Sequence, residues 1–300
     1  MGHRFKRTEY ILRSFCRDIG LRTSVTRIRP KAVAEFLACA GTVGKTWHVK
    51  YGALKGFFQF AVNRGHMTKV PLPTELPKCR SSFVPYIYSH EELRRLLDSI
   101  PSYHRFPSRI EPSTLRAIVL LLYGAGLRRG EALRLTTADV DLANSLLIIR
   151  DTKFFKSRLV PIGPDLTKVL NDYARWRIAT HPAAKTENSF FVSRRGTALR
   201  HWNVQDAFER LREYAGVRRS DGGRHQPRIH DLRHTFAVHR LIDWYRQGAD
   251  VQRLVYHLSV YLGHARLVHT QVYLTMTPEL LQQAGGRFER YARPAENHHA

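Results

Sequence analysis

Cysteine is scarce in this 300-residue chain: Cys16, Cys39 and Cys79 stand far apart. So sparse and odd a set excludes a disulfide framework or a zinc ribbon and fits a reducing compartment. Long apolar runs are missing too. The longest, Ala117 to Tyr123, falls far short of the about 20 residues a bilayer-spanning helix needs. No signal-peptide pattern opens the chain, because Met1 to Tyr10 is polar and basic. The expected location is the cytoplasm of a bacterial cell. Acidic residues are the third shortage. Against 49 Lys and Arg there are 25 Asp and Glu, a net charge of +24. Residues 1–80 hold 16 basic and 4 acidic residues, and the remainder 33 and 21. A single basic tail would suggest an electrostatic anchor. An excess on every folded part suggests a polyanion held along an extended surface, with nucleic acid the leading partner. An anionic membrane fits less well, since no basic amphipathic helix stands out.

Hydrophobic content of 43% and charged content of 25% allow real cores. Apolar spacing predicts helices over 4–19, Pro30 to Ala40 and Gly44 to Arg64. In the third, Trp47, Tyr51, Leu54, Phe57, Phe58 and Ala61 form a stripe that reads as core, while Lys45, Lys50 and Lys55 lie off it as candidate DNA-phosphate contacts or plain solvated lysines. Pro71, Pro73 and Pro77 then break the pattern and favour an extended linker. The expected organisation is a helical DNA-binding domain over 1–70, a linker over 71–88 and a second domain over 89–300. The second domain opens on the capping box Ser89-His90-Glu91-Glu92. It reads as mainly α with a small β-sheet, an α+β arrangement. Leu146 to Ile149 and Leu159 to Ile162 are expected to form a hairpin, Phe190 to Val192 another short strand, and Pro278 to Tyr291 a tail helix.

Candidate chemistry concentrates in Ile229-His230-Asp231-Leu232-Arg233-His234-Thr235-Phe236-Ala237. On a helix His230 and Arg233 share a face. A proton-transfer group beside a fixed cationic fork suits a phosphate whose oxygen must exchange a proton. Alone, this spacing does not separate a site from an ordinary solvated face. His230 and His234 also have the i, i+4 spacing of a helical zinc pair, but the protease signature needs Glu where Asp231 stands, and no third ligand is evident. No metal is expected. Three further places carry candidate groups: Arg128 with Glu131 one turn on, Lys153 with Lys156 and Arg158 in the hairpin, and Leu262-Gly263-His264 followed nine residues later by Tyr273.

In chain order these read Gly126-Leu127-Arg128-x-x-Glu131, Lys153, Arg158-Leu159-Val160-Pro161, His230-x-x-Arg233-His234, Leu262-Gly263-His264 and Tyr273. The set resembles the tyrosine recombinase (phage integrase) family over about residues 88–285. The amino-terminal unit resembles that family's core-binding domain in size, charge and position only. The resemblance implies a site-specific recombinase or integrase, of the kind carried by transposons and other mobile elements, that needs neither metal nor ATP. Tyr273 would attack a DNA phosphodiester to leave a 3′-phosphotyrosine. His230 would be the general base and Lys153 the general acid, with Lys156 the alternative. Arg128, Arg233 and His264 would hold the phosphate, with Glu131 and His234 in support. Lys156 and Arg158 would also touch DNA. Partners implied are double-stranded DNA and further copies of the chain, a dimer on a site and a tetramer in synapsis, with sister recombinases or accessory DNA-bending proteins in addition. The tail, with Leu280, Leu281, Ala284 and Phe288 on one face, would pack on a neighbouring protomer or in cis. Two other readings stay open: an inactive DNA-binding regulator, and a type IB topoisomerase that relaxes DNA.

Overall fold

The computed structural model describes residues 6–38, 44–77, 84–105, 108–150, 157–182, 189–223, 225–275, 280–282 and 285. The chain divides into two compact units, Met1–Phe83 and Val84–Ala300.

The first unit is helical: α1 (Lys6–Ile19), α2 (Pro30–Ala38) and α3 (Lys45–Asn63). Trp47, Leu54, Phe58 and Ala61 of α3 are buried, so the aromatic stripe is core. Phe15 of α1 meets Phe36 and Phe58 edge-on, at 5.1 and 6.1 Å between ring centroids. Lys50 is spent inside this unit. Its Nζ donates to the Phe36 carbonyl (3.0 Å) and lies 4.1 Å from the Phe36 ring centroid. That ties α2 to α3 and corrects its reading as a phosphate contact. Lys45 and Lys55 are exposed.

The second unit contains α4 (His90–Ser99), α5 (Pro112–Gly124), the single turn α6 (Arg129–Ala132), strands β1 (Val140–Asp141), β2 (Leu146–Ile149) and β3 (Arg158–Pro161), then α7 (Pro164–Thr180), α8 (His201–Tyr214), α9 (Asp231–Arg246), α10 (Val251–Leu262) and α11 (Val268–Gln271). The fold class is mainly α with a small sheet. The capping box at Ser89 is present, with both reciprocal bonds made. The sheet is antiparallel in the order β1-β2-β3, and Leu146 pairs with Pro161 and Ile149 with Arg158. β1 was not expected. Phe190 to Val192 forms no strand, only isolated bridges at Thr136–Ser189 and Val192–Ala198. Its aromatic rings pack on Tyr173 of α7 instead, Phe190 edge-on and Phe191 tilted.

Apolar α5 is the central helix, packed against α7 and α9. The stretch before α4 is not a free linker. Tyr88 is fully buried; its N–H donates to Thr235 Oγ1 and its hydroxyl to the Arg228 carbonyl, both at 3.0 Å. These bonds hold the loop before His230 and the second turn of α9. Leu280 is buried in cis, in the cluster that includes Val251, Val255 and Tyr273. Most of the expected tail helix lies outside the described residues.

Candidate active site

The site is built where helices stop and start. After α5, Gly126 turns the chain at φ +59°. A Cβ there would lie 2.4 Å from Phe236 Cδ1, so glycine is required for the turn to close against α9. The turn delivers Arg128 to the cap position of α6. His230 caps α9. Gly263 ends α10 at φ +68°, where a Cβ would lie 2.8 Å from Arg158 Nη1. α11 and the 3-10 turn Val272–Thr275 bring Tyr273 back against α9.

Backbone carbonyls at these ends orient both arginines. Arg233, 2% exposed, donates from Nη1 to the Gly126 carbonyl (2.6 Å) and from Nη2 to the Leu262 carbonyl (2.7 Å). A buried charge is costly unless paired, yet these partners are neutral. Burial, and then Arg128 nearby, lower its pKa to about 10, so it stays charged at neutral pH and is available to an arriving anion. Arg128 donates from Nη2 to the Gly263 carbonyl (2.9 Å) and from Nη1 to Glu131 Oε1 (2.7 Å). Glu131, 4% exposed, also accepts from Arg158 Nη2 (2.9 Å) and Nη1 (3.2 Å). Burial alone would raise its pKa. The bonds and charge of Arg158, then of Arg128, outweigh burial and hold it at about 2.

Arg158 is thereby corrected from DNA contact to internal brace. Its side chain is 13% exposed, and its Nε donates to the Tyr261 carbonyl (2.9 Å), which pins β3 to the end of α10.

Tyr273 is 2% exposed. Its hydroxyl lies 2.9 Å from His234 Nδ1. A neutral imidazole that carries its proton on Nε2 accepts the hydroxyl proton at Nδ1. Burial raises the tyrosine pKa, with Arg233 and Arg128 opposing. The ring of His264 stacks on Tyr273 at 6.2 Å between centroids, and its Nε2 lies 3.0 Å from Arg233 Nη2. Among the described residues no hydrogen bond joins His230 to the tyrosine. It is exposed, its ring 5.1 Å from that of His234 and edge-on to it. So the residue on the Tyr273 hydroxyl is His234, which the sequence reading had left as a support or packing group.

All three histidines are shifted down. His234 falls to about 4 through burial, then His230 and Arg233. His230 falls to about 4 through desolvation by the surrounding protein, then Arg233 and Arg228. His264 falls to about 3 through burial, then Arg233 and Arg128. Neutral in the folded state, they gain protons more readily in the unfolded chain, whose histidines titrate near 6.5. The unfolded state therefore binds more protons below that pH, and stability falls as pH drops through this range. The Tm is expected to fall between about pH 7.5 and pH 5, and to fall less in His264→Asn, as scanning calorimetry in matched buffers can check. An equal slope in both proteins would remove His264 from this account.

The structure thus brings together Arg128, Glu131, Arg233, His234, His264 and Tyr273, with His230 at the rim. Lys153 and Lys156 lie outside the described residues. Two contributors escaped the sequence reading. Asp231, 2% exposed, accepts from the Arg228 N–H (2.9 Å) and Nη2 (2.8 Å) and fixes the start of α9. Thr270, fully buried, lies 2.7 Å from His264 Nδ1. Its only signal was a position one helical turn before Tyr273.

Among the described residues no group of three or more His, Cys, Asp or Glu could hold a metal ion, and no helix is long and apolar enough to cross a membrane. The model of the phage integrase family matches residues 87–279. A putative integrase/recombinase of Sinorhizobium fredii is 34% identical over 293 residues, covering 96% of this chain and 91% of that protein. The tyrosine recombinase XerA of Thermococcus kodakarensis is 34% identical over 235 residues, covering 77% and 71%. In fold, the chain is similar to the integrase of transposon Tn1549 solved with a circular-intermediate DNA. The TM-score is 0.69 at 18% identity, over 97% of this chain and 95% of that one.

Proposed function

This chain belongs to the phage integrase family of tyrosine recombinases, and we propose that it cuts and rejoins duplex DNA by transesterification through Tyr273. The observation that carries this reading is the contact between the Tyr273 hydroxyl and His234 Nδ1 at 2.9 Å, beside Arg233. The tyrosine oxygen attacks the scissile phosphorus, and the bond to the 5′-oxygen breaks. A 3′-phosphotyrosine and a 5′-hydroxyl result. A phenol of raised pKa is protonated at neutral pH and needs a base to become a nucleophile. His234, neutral above about pH 4, takes that proton. His230 stands at the rim, toward the incoming DNA. Arg128 and Arg233 bind the non-bridging oxygens, where fixed donors are most effective on developing charge. The departing 5′-oxygen takes its proton from Lys153, with Lys156 the alternative. Attack by a second DNA 5′-hydroxyl reverses the step and conserves the energy of the bond.

His234→Ala is expected to slow single-turnover cleavage more than His230→Ala, by roughly tenfold, since base catalysis contributes about 10²–10⁴. Quenched-flow or gel time courses on one substrate decide it. The reverse order would return the base role to His230.

The basic excess supports double-stranded DNA as the partner, with the helical first unit as a further DNA-binding domain. Each protomer has one Tyr273 and cuts one strand, so exchange between duplexes needs several protomers: a dimer on each site and a tetramer in synapsis. The setting we propose is recombination of a mobile element, by integration, excision or transposition, on DNA in the bacterial cytoplasm. The direct test is a nicked suicide substrate made from the element's end. An SDS-resistant protein–DNA adduct is expected, formed equally in EDTA and without ATP. Abolition by EDTA would overturn the metal-free mechanism.

A further inference from the structure

His264 is held from both sides of its ring. Nε2 faces Arg233 Nη2 at 3.0 Å, and Nδ1 faces Thr270 Oγ1 at 2.7 Å. A guanidinium has donors and no acceptor. Nε2 must therefore offer its lone pair to Arg233, and the proton of the neutral ring sits on Nδ1, donated to the Thr270 oxygen. In that tautomer His264 has no hydrogen for a phosphate. It becomes a phosphate donor only if Nε2 acquires a proton. A second proton on the ring is opposed by burial and by the two arginines, so the other tautomer is the accessible route.

What sits on Nδ1 decides whether that route is open. A backbone carbonyl or a carboxylate there would accept only and would lock Nδ1–H in place. A hydroxyl accepts in one tautomer and, by rotating its O–H, donates in the other. Thr270 is fully buried, so water does not substitute for it. Its backbone N–H donates to the Leu267 carbonyl at 2.8 Å, which holds the hydroxyl at a fixed place on the turn between His264 and Tyr273.

We propose that Thr270 is a positioning residue for cleavage: its hydroxyl holds His264 Nδ1 in both tautomers, letting Nε2 change from acceptor of Arg233 to donor toward the scissile phosphate. The proton balance is neutral. As DNA docks, the half-buried His264 ring turns briefly from Thr270 to the water at the site, loses the Nδ1 proton and gains one at Nε2, and on its return the Thr270 O–H turns to Nδ1. This inference rests on the reading of Tyr273 as nucleophile, and the tests separate the two.

The wild-type protein on the nicked suicide substrate comes first, and absence of any adduct overturns the Tyr273 reading itself. Given the adduct, Thr270→Val keeps the side-chain shape and removes the hydroxyl. It is expected to cut roughly 10–100-fold more slowly, the worth of one well-placed hydrogen bond, with DNA binding unchanged. Thr270→Ser restores the hydroxyl and is expected within about threefold of wild type. In a His264→Ala background, Thr270→Val is expected to cost nothing further, because the two act as one unit. Imidazole nitrogen resonances give a reading independent of rate and of the Val variant's folding. His264 should carry Nδ1–H in the free protein and Nε2–H in a Tyr273→Phe complex with DNA. A Val variant as fast as wild type, a Ser variant as slow as Val, additive losses with His264→Ala, or an unchanged tautomer on DNA would each overturn the proposal.

Discussion

Tyr273→Phe is expected to abolish the covalent adduct while leaving affinity for DNA within about twofold, the ordinary range for a near-isosteric change. The substitution removes one oxygen, and that oxygen is the atom that would bond to phosphorus. The ring stays buried in the cluster of α9 and α10 residues with Leu280, so the fold has little reason to change. The hydroxyl's own hydrogen bond, to His234, is lost, and His234 and Arg233 remain beside the pocket where a phosphate would enter. Gel-shift titration and SDS gels on the same nicked substrate measure the two quantities together. An adduct that persists in Tyr273→Phe would move the nucleophile elsewhere in the chain.

Arg233→Lys is expected to lower the cleavage rate by roughly 10²–10³, the usual effect of removing one fixed donor from a developing charge. The charge is kept, so the loss measures geometry. Arg233 spans three groups at once: the Gly126 carbonyl, the Leu262 carbonyl and His264 Nε2. Those groups belong to the turn after α5 and to the end of α10, which the guanidinium fork holds at fixed separation. A lysine has one nitrogen at the end of a flexible stem and cannot occupy both fork positions. It leaves at least one buried carbonyl without its donor, a penalty of about 1–3 kcal/mol. Stability is therefore expected to drop as well, and the rate must be read well below the variant's Tm. A Lys variant that is as fast as wild type would reduce Arg233 to a source of positive charge.

The sequence carried much of this site because helix ends are marked by local chemistry. Gly126 and Gly263 announce turns, and the periodicity of Leu232, Phe236 and Leu241 announces α9. The polar residues that matter lie beside those marks. What sequence did not reveal is which polar atom meets which. His234 and Tyr273 are 39 residues apart, and nothing local says that α11 returns Tyr273 to the second turn of α9 instead of to His230. Arg158 read as a groove contact because the hairpin around it is basic. Its true partner, Glu131, lies 27 residues earlier on a different element, and burial of that carboxylate is a tertiary property. Lys50 was misread for the same reason, since its acceptor is a main-chain carbonyl on another helix. Two-residue β1 is too short to show any alternation, and the apolar run at Phe190 fits an aromatic cluster as well as a strand.

The central claim is that Tyr273 becomes covalently joined to DNA, and one measurement addresses it without any variant. The adduct from the nicked substrate is digested with nuclease and trypsin, and the nucleotide-bearing peptide is sequenced by mass spectrometry. The account predicts the peptide from Leu267 to Arg287, which contains Tyr273 as its one tyrosine, with the added phosphate on that residue. A nucleotide found on any other peptide would contradict it.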